Sequence, residues 1–301
     1  MAFFEQAIAR DPKFARAYAG LANAIVFTSF FDTLHPPEGY LDRAIAASKR
    51  ALALDSTLAD AHIPLGSAYQ LTQRWDDART EYVHAIALAP SSSPPRYYLG
   101  IHALTTSRIA QGIDELKRAQ LADPYSSATT GWLAMGLLLG GENDAAVAMA
   151  KRAWELDSTS LLTQAFVPVI YADAGRAAEA RAVASRIPRS NFTLSSIGYA
   201  LAKGGDRAGA LEIVRLIEAR EARGWMDHVG LAYAALGLVD TTRALDELEK
   251  SASSGEPFAR RTPFGAAMFD PIRHSARFAA LIRKANLDEK ALTSANGGRL
   301  K

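Results

Sequence analysis

A period of 34 residues between Leu58 and Pro124 constrains this chain more than any other feature. Leu65-Gly66, Tyr69, Ala78, Tyr82, Ala85 and Pro90 return one period later as Leu99-Gly100, Ala103, Gly112, Leu116, Ala119 and Pro124. A large apolar residue, then Gly, a contact residue, a small residue and a terminating Pro at this spacing describe a helix–turn–helix repeat. The small positions allow two antiparallel helices to approach closely, and the Pro cannot continue the second helix.

Composition agrees with an all-helical chain. Ala is abundant, strand-type β-branched runs are scarce, and 49% of the 301 residues are hydrophobic, enough for a continuous core. No apolar run approaches the roughly 18–20 residues needed to span a bilayer. The nearest, Trp132 to Leu139, ends at Gly140-Gly141. Met1-Ala2-Phe3-Phe4-Glu5 lacks the basic region and apolar core of a signal peptide. With no Cys there is neither a disulfide framework nor thiolate chemistry, and a net charge of +2 does not point to nucleic acid. A soluble cytoplasmic protein is the expectation.

Taken in order, Phe3, Phe4, Ala7 and Ile8 form an apolar helical face ended by Asp11-Pro12. They read either as a short capping helix or as the second helix of a repeat whose first half belongs to a longer protein. The next repeat opens at Phe14 with Tyr18, Leu21, Ala22 and Ile25. Its second helix (Ala44, Ser48, Ala51) comes ten residues late, after an insertion over 28–40 that breaks at Pro36-Pro37. Phe30, Phe31 and Leu34 in that insertion pack on the flank or present a partner site. The two ruler repeats follow, then four more marked by Ala146, Ala180, Ala210 and Ala244. Pro168 predicts a kink or a late helix start. Four residues are lost near Ile187-Pro188-Arg189-Ser190, and Gly204-Gly205-Asp206 suits positive φ followed by a helix N-cap. Beyond Gly255 the repeat stops, Pro257, Pro263 and Pro271 punctuate a loop, and Ser275 to Ala285 predicts an amphipathic helix that caps the last repeat through Phe278, Leu281 and Ile282.

These repeats resemble the tetratricopeptide repeat (TPR) family over most of the chain. Two end segments, Ala7 to Ala22 and Phe269-Asp270-Pro271-Ile272-Arg273 to Leu281, resemble a narrower group: the C-terminal TPR region of bacterial multidomain signalling proteins, whose N-terminal halves are serine/threonine kinases, nucleotide cyclases or winged-helix regulators. The resemblance implies an all-α fold, a right-handed α-solenoid of about seven helix pairs with a C-terminal capping helix. The expected organisation is a solenoid over 1–256, a loop and capping helix over 257–287, and a tail over 288–301.

No enzyme is legible. The six His form no H-E-x-x-H or His/Cys spacing, so no metal and no cofactor is expected, and His62 and His228 read as packed histidines. No phosphate loop occurs, and Asp76-Asp77 and Asp246-Glu247 are adjacent carboxylates that point apart on a helix. What remains is the groove that the family builds from its first helices. Carried over by repeat position, its lining includes Phe27, Ile63, Leu71, Tyr97, Ile101, Met135, Tyr199 and Tyr233, with Tyr98, Trp132 and Phe166 at its edge. The Lys and Asn of the family's carboxylate clamp are replaced by Ile63/Ser67, Tyr97/Ile101 and Gly131/Met135, so a clamp is not expected. An apolar, aromatic groove suits an extended or helical protein segment with apolar anchors. The competing reading is that these residues only pack between neighbouring helices. The expected function is therefore a non-catalytic interaction scaffold or sensor module of a bacterial signalling protein, with an enclosed apolar metabolite as the alternative ligand. From Ser251 to Lys301, nine Lys/Arg face four acids. That tail reads as a docking site for an acidic partner or as a solvated capping helix.

Overall fold

The computed structural model describes residues 1–31, 39–221, 227–254 and 266–287, with the side chains of 29–31 and 221 left aside. Among these residues there are sixteen α-helices, one 3-10 turn and no strand. A lone helix α1 (Ala2–Arg10) precedes seven pairs: α2 (Ala15–Phe31) with α3 (Tyr40–Leu54), α4 (Ala59–Leu71) with α5 (Trp75–Leu88), α6 (Ser93–Thr105) with α7 (Ile109–Ala122), α8 (Ser127–Leu139) with α9 (Asn143–Leu156), α10 (Leu161–Asp173) with α11 (Ala177–Ala184), α12 (Leu194–Lys203) with α13 (Arg207–Glu221), and α14 (His228–Gly237) with α15 (Thr241–Ser253). The 3-10 turn η1 (Ala267–Phe269) and α16 (Ala276–Lys284) end the described chain. The chain forms two compact units, 1–102 and 103–301. The insertion's Phe30, Phe31 and Leu34, the prolines 257 and 263, and the tail 288–301 lie outside the described residues or side chains.

Small residues make the pairs possible. Ala78, Ala146, Ala180, Ala210 and Ala244 are each fully buried where second helix meets first. Gly66 shows how close the approach is: a Cβ there would sit 2.7 Å from the Tyr82 ring. In the first unit, α2 packs on α3 and on α4, and α4 packs on α5, so each first helix serves its own partner and the next first helix. Leu65, Tyr69, Ala78, Tyr82 and Leu99 form one core cluster there, and Ile25, Val26, Tyr40, Ala44 and Ala68 form another.

The turns inside the six pairs from α4–α5 to α14–α15 repeat one local device. Gln73, Ser107, Gly141, Gly175, Gly205 and Val239 all have φ between 59° and 84°. In each case the next residue's N–H reaches back five positions, as Arg74 to the Tyr69 carbonyl (2.8 Å) and Asp240 to that of Ala235 (2.9 Å). This is the Schellman closure, which satisfies carbonyls that a helix end leaves open. Glycine takes the left-handed position without a Cβ clash; Val239 does not.

One expectation changes. α10 runs unbroken from Leu161 with the buried Pro168 inside it, and α4 likewise contains Pro64. Their start is not delayed, because packing on both sides holds the helix through the missing hydrogen bond. The deletion near Ile187 shortens α11 to eight residues and leaves a Thr193-centred turn, whose hydroxyl donates to the Pro188 carbonyl at 2.6 Å. The capping helix forms as expected. Ser275 accepts from the Phe278 N–H (3.1 Å), and Phe278, Leu281 and Ile282 are buried. Arg277 ties it to α15 through Glu249 (2.7 Å) and Asp246 (2.6 Å).

Candidate functional site

In the first unit, the first helices of three successive pairs line a pocket of about 350 Å³. Arg16, Gly20 and Asn23 come from α2, Asp60 and Ile63 from α4, and Pro94 and Tyr98 from α6. The antiparallel pairing puts second helices on the other side, so only first helices reach this face. Of the expected groove residues, Ile63 and Tyr98 meet here. Tyr98 stacks on Tyr82 (centroids 6.0 Å, planes 16° apart) and meets Tyr97 edge-on at 5.1 Å. Burial raises the pKa of the Tyr98 phenol, so it acts as a neutral hydrogen-bonding group. Tyr82, fully buried, hydrogen-bonds Ser67 at 3.1 Å and supports the Tyr98 ring from behind.

The pocket is more polar than the sequence reading expects. Arg16, Asn23 and Asp60 are exposed at its edge around the apolar patch of Ile63, Pro64 and Tyr98. Arg16 and Pro94 carry no signal in the repeat pattern, because neither is a repeated contact position. Four expected members of this unit lie elsewhere, Tyr97 among them, half-buried beside Tyr98 and outside the lining. Phe27 is 60% exposed and does not line the pocket. Leu71 packs against the Ile25–Tyr40 core, and Ile101 is half-buried outside the lining.

The second unit presents its first helices differently. Trp132 and Phe166 meet edge-to-face at 4.7 Å and stay half-buried. Met135, Tyr199 and Tyr233 are buried, at 3%, 2% and 8% exposed. The chain's own segment around η1 packs on Tyr233 and shares the Asp173 carboxylate with Tyr199. The Tyr199 hydroxyl donates to the Asp173 carboxylate, and the Met268 backbone N–H donates to the other oxygen of Asp173 at 3.2 Å. Phe269, fully buried, lies edge-on to Tyr233 at 6.0 Å and stacks on Phe278 at 5.6 Å. Burial and the Asp173 charge push the Tyr199 pKa far up, so the phenol remains the donor. A 3-10 turn with an apolar anchor thus sits on a first-helix face, joined to it by a backbone hydrogen bond.

The basic C-terminal residues that are described make contacts within the unit. The guanidinium of Arg273 is buried and donates to the Ala266 carbonyl (2.7 Å) and Asp270 (2.8 Å), and Lys284 reaches Ser253 at 3.2 Å. Among the described residues, no helix is long and apolar enough to cross a membrane.

No family model matches this sequence, and no curated protein does. Solved structures do. A tetratricopeptide repeat protein from Parabacteroides merdae is similar with a TM-score of 0.56 and 11% identity, over 89% of this chain and 99% of that one. PilW, a type IV pilus biogenesis factor, gives 0.55 at 17% identity over 68% and 92% of the two chains. Pseudomonas aeruginosa pilF gives 0.53 at 19% over 70% and 93%. At these identities the likeness is one of fold: an all-α solenoid of TPR helix pairs.

Proposed function

We propose that this chain is a non-catalytic protein-interaction scaffold whose first-helix face in the first unit binds a segment of a partner protein. The observation that carries the reading is the pocket across α2, α4 and α6, with an apolar floor at Ile63, Pro64 and Tyr98 and both charges, Arg16 and Asp60, at its edge. Such a lining suits a peptide with an apolar anchor and a polar backbone or flanking charges. The seating of Met268 and Phe269 in the second unit supports it, since that face of the repeat already holds a 3-10 turn of the chain itself by an apolar anchor and a backbone N–H.

The resemblance of Phe269-Asp270-Pro271-Ile272-Arg273 and of Ala7 to Ala22 to bacterial signalling proteins supports a place in cytoplasmic signal transduction, with the TPR unit as the sensing or docking part. The pocket volume is near the lower end for small-molecule sites. A small ligand there would need polar groups to meet Arg16, Asn23 and Asp60, which argues against an apolar metabolite.

Selection of peptides from a random displayed library against the full chain tests the reading. A selected peptide should lose at least about tenfold in affinity with Asp60→Arg or Tyr98→Ala, as centrally placed anchors do. Asp60 is exposed, so its replacement leaves the fold intact. Unchanged affinity in both variants would place the binding elsewhere and overturn the proposal.

A further inference from the structure

The seam between α4 and α5 gathers three groups with lone pairs. His62 Nδ1 lies 2.6 Å from Glu81 Oε2. His84, one helical turn after Glu81, sets its ring edge-on to His62 with centroids 5.5 Å apart. One ligand atom from each of the three falls within 4.8 Å of the others. The side chains of His62 and Glu81 are 12% and 17% exposed, while His84 faces solvent. These residues stand apart from the pocket, because His62 meets α5 while Asp60, Ile63 and Pro64 line the first-helix face.

The second unit contains the same arrangement with one exchange. His228 and Glu247 are separated by the same 19 residues as His62 and Glu81, and they pair at 2.9 Å. Lys250 follows Glu247 by three, as His84 follows Glu81, and its ammonium meets the other carboxylate oxygen at 2.9 Å. There a lysine supplies the positive charge that a sheltered carboxylate requires. At the matching place in the first unit stands an imidazole, which offers a lone pair where lysine offers only N–H donors.

We propose that His62, Glu81 and His84 form a binding site for a divalent transition-metal ion, with Zn²⁺ the best match. Two imidazoles and one carboxylate are a zinc donor set, and the solvent side at His84 leaves room for water as fourth ligand. Tetrahedral zinc bonds of about 2.0–2.2 Å place donors about 3.3 Å apart, so closing the cluster takes a side-chain adjustment of exposed His84 and a slight opening of the His62–Glu81 pair from 2.6 Å. Nitrogen donors disfavour Mg²⁺ and Ca²⁺. The ion would bridge the two helices of one pair and stabilise the folded chain by mass action.

Zinc uptake by the full chain, followed by calorimetric titration near pH 7.5 and by thermal melts, tests this. The wild-type chain should bind one zinc more than His84→Lys, His84→Ala or Glu81→Gln, or bind it at least about tenfold more tightly, the loss known for removing even a supporting partner of a ligand. Zinc should raise the wild-type melting temperature and leave that of His84→Lys unmoved. His84→Lys should keep its helical circular dichroism, since Lys250 fills that place in the second unit. His84→Ala separates loss of a ligand from added positive charge. Failure of the wild type to take up zinc, or equal stoichiometry and affinity in all three variants, overturns the proposal and leaves a His–Glu hydrogen bond.

Discussion

The ring of Tyr82 occupies the space that a side chain on Gly66 would need, coming within 2.7 Å of an ideal Cβ there. The Ala78 carbonyl closes the same space at 3.1 Å, and Tyr82 cannot move aside because it is fully buried. Gly66→Ala should therefore destabilise the chain. Overpacking costs about 1–3 kcal/mol, more than the roughly 1 kcal/mol that Ala gains over Gly in a helix. Gly131→Ala is the control, since its Cβ would meet only Phe166 at 3.7 Å, an ordinary contact. Urea unfolding should show a fall for the first and no loss for the second.

Val239 holds a left-handed conformation, φ 64°, with 76% of its surface exposed. A β-branched residue there is strained by about 1–2 kcal/mol, and little packing depends on its side chain. Val239→Gly should raise stability by about 1 kcal/mol, and Gly141→Val at the matching turn should lower it by at least as much. Equal melting temperatures for wild type and Val239→Gly would contradict the reading.

The η1 segment should loosen when its anchor is removed. Phe269→Ala deletes a fully buried ring, at about 3–5 kcal/mol, and Tyr199→Phe removes one of the donors to Asp173 at about 1 kcal/mol. Hydrogen exchange should accelerate at Met268 in both, more in Phe269→Ala, while the amides of α8 and α9 keep their protection.

Ser275 closes the first turn of α16 by accepting from the Phe278 N–H. Ser275→Ala should cost about 0.5–2 kcal/mol, and Ser275→Asp should recover most of it. Chemical denaturation of the three proteins gives the comparison.

Acid should weaken the fold through carboxylates whose folded pKa lies below the ordinary value. The Thr57 hydroxyl and backbone N–H lower Asp55, and the equivalent Thr159 groups lower Asp157, both from 3.8. Hydrogen bonds from Arg189 and Arg277 lower Glu212 and Glu249 from 4.5. The folded state then holds fewer protons than the unfolded one, so this stability is complete above the ordinary values and is lost as pH falls through the lowered ones. Melting temperature should be level near neutrality and decline from about pH 4.5 downward. High salt should mute the part due to the arginine pairs, which are solvent-exposed. A melting temperature unchanged down to pH 3 would contradict this.

The repeat period alone determined the helix pairs, their small contact residues and the left-handed turn at Gly205, and apolar spacing beyond the repeat determined the amphipathic helix around Phe278. All of these are local: each depends on residues within one turn, one helix or one helix pair, which the sequence records directly. It did not reveal that α10 accepts Pro168, because that depends on burial from both sides. The family's repeat positions put Tyr199 on the inward face and Tyr98 at its edge, and the tertiary structure gives the two different surroundings. Tyr98 borders a pocket, while Tyr199 is buried and shares the Asp173 carboxylate with the Met268 N–H, which reaches it across 95 residues of chain. His62, Glu81 and His84 tell the same story at shorter range, scattered in sequence and gathered only when α4 and α5 pack antiparallel. Periodicity encodes which face a residue takes, and only the folded chain decides what comes to lie against that face.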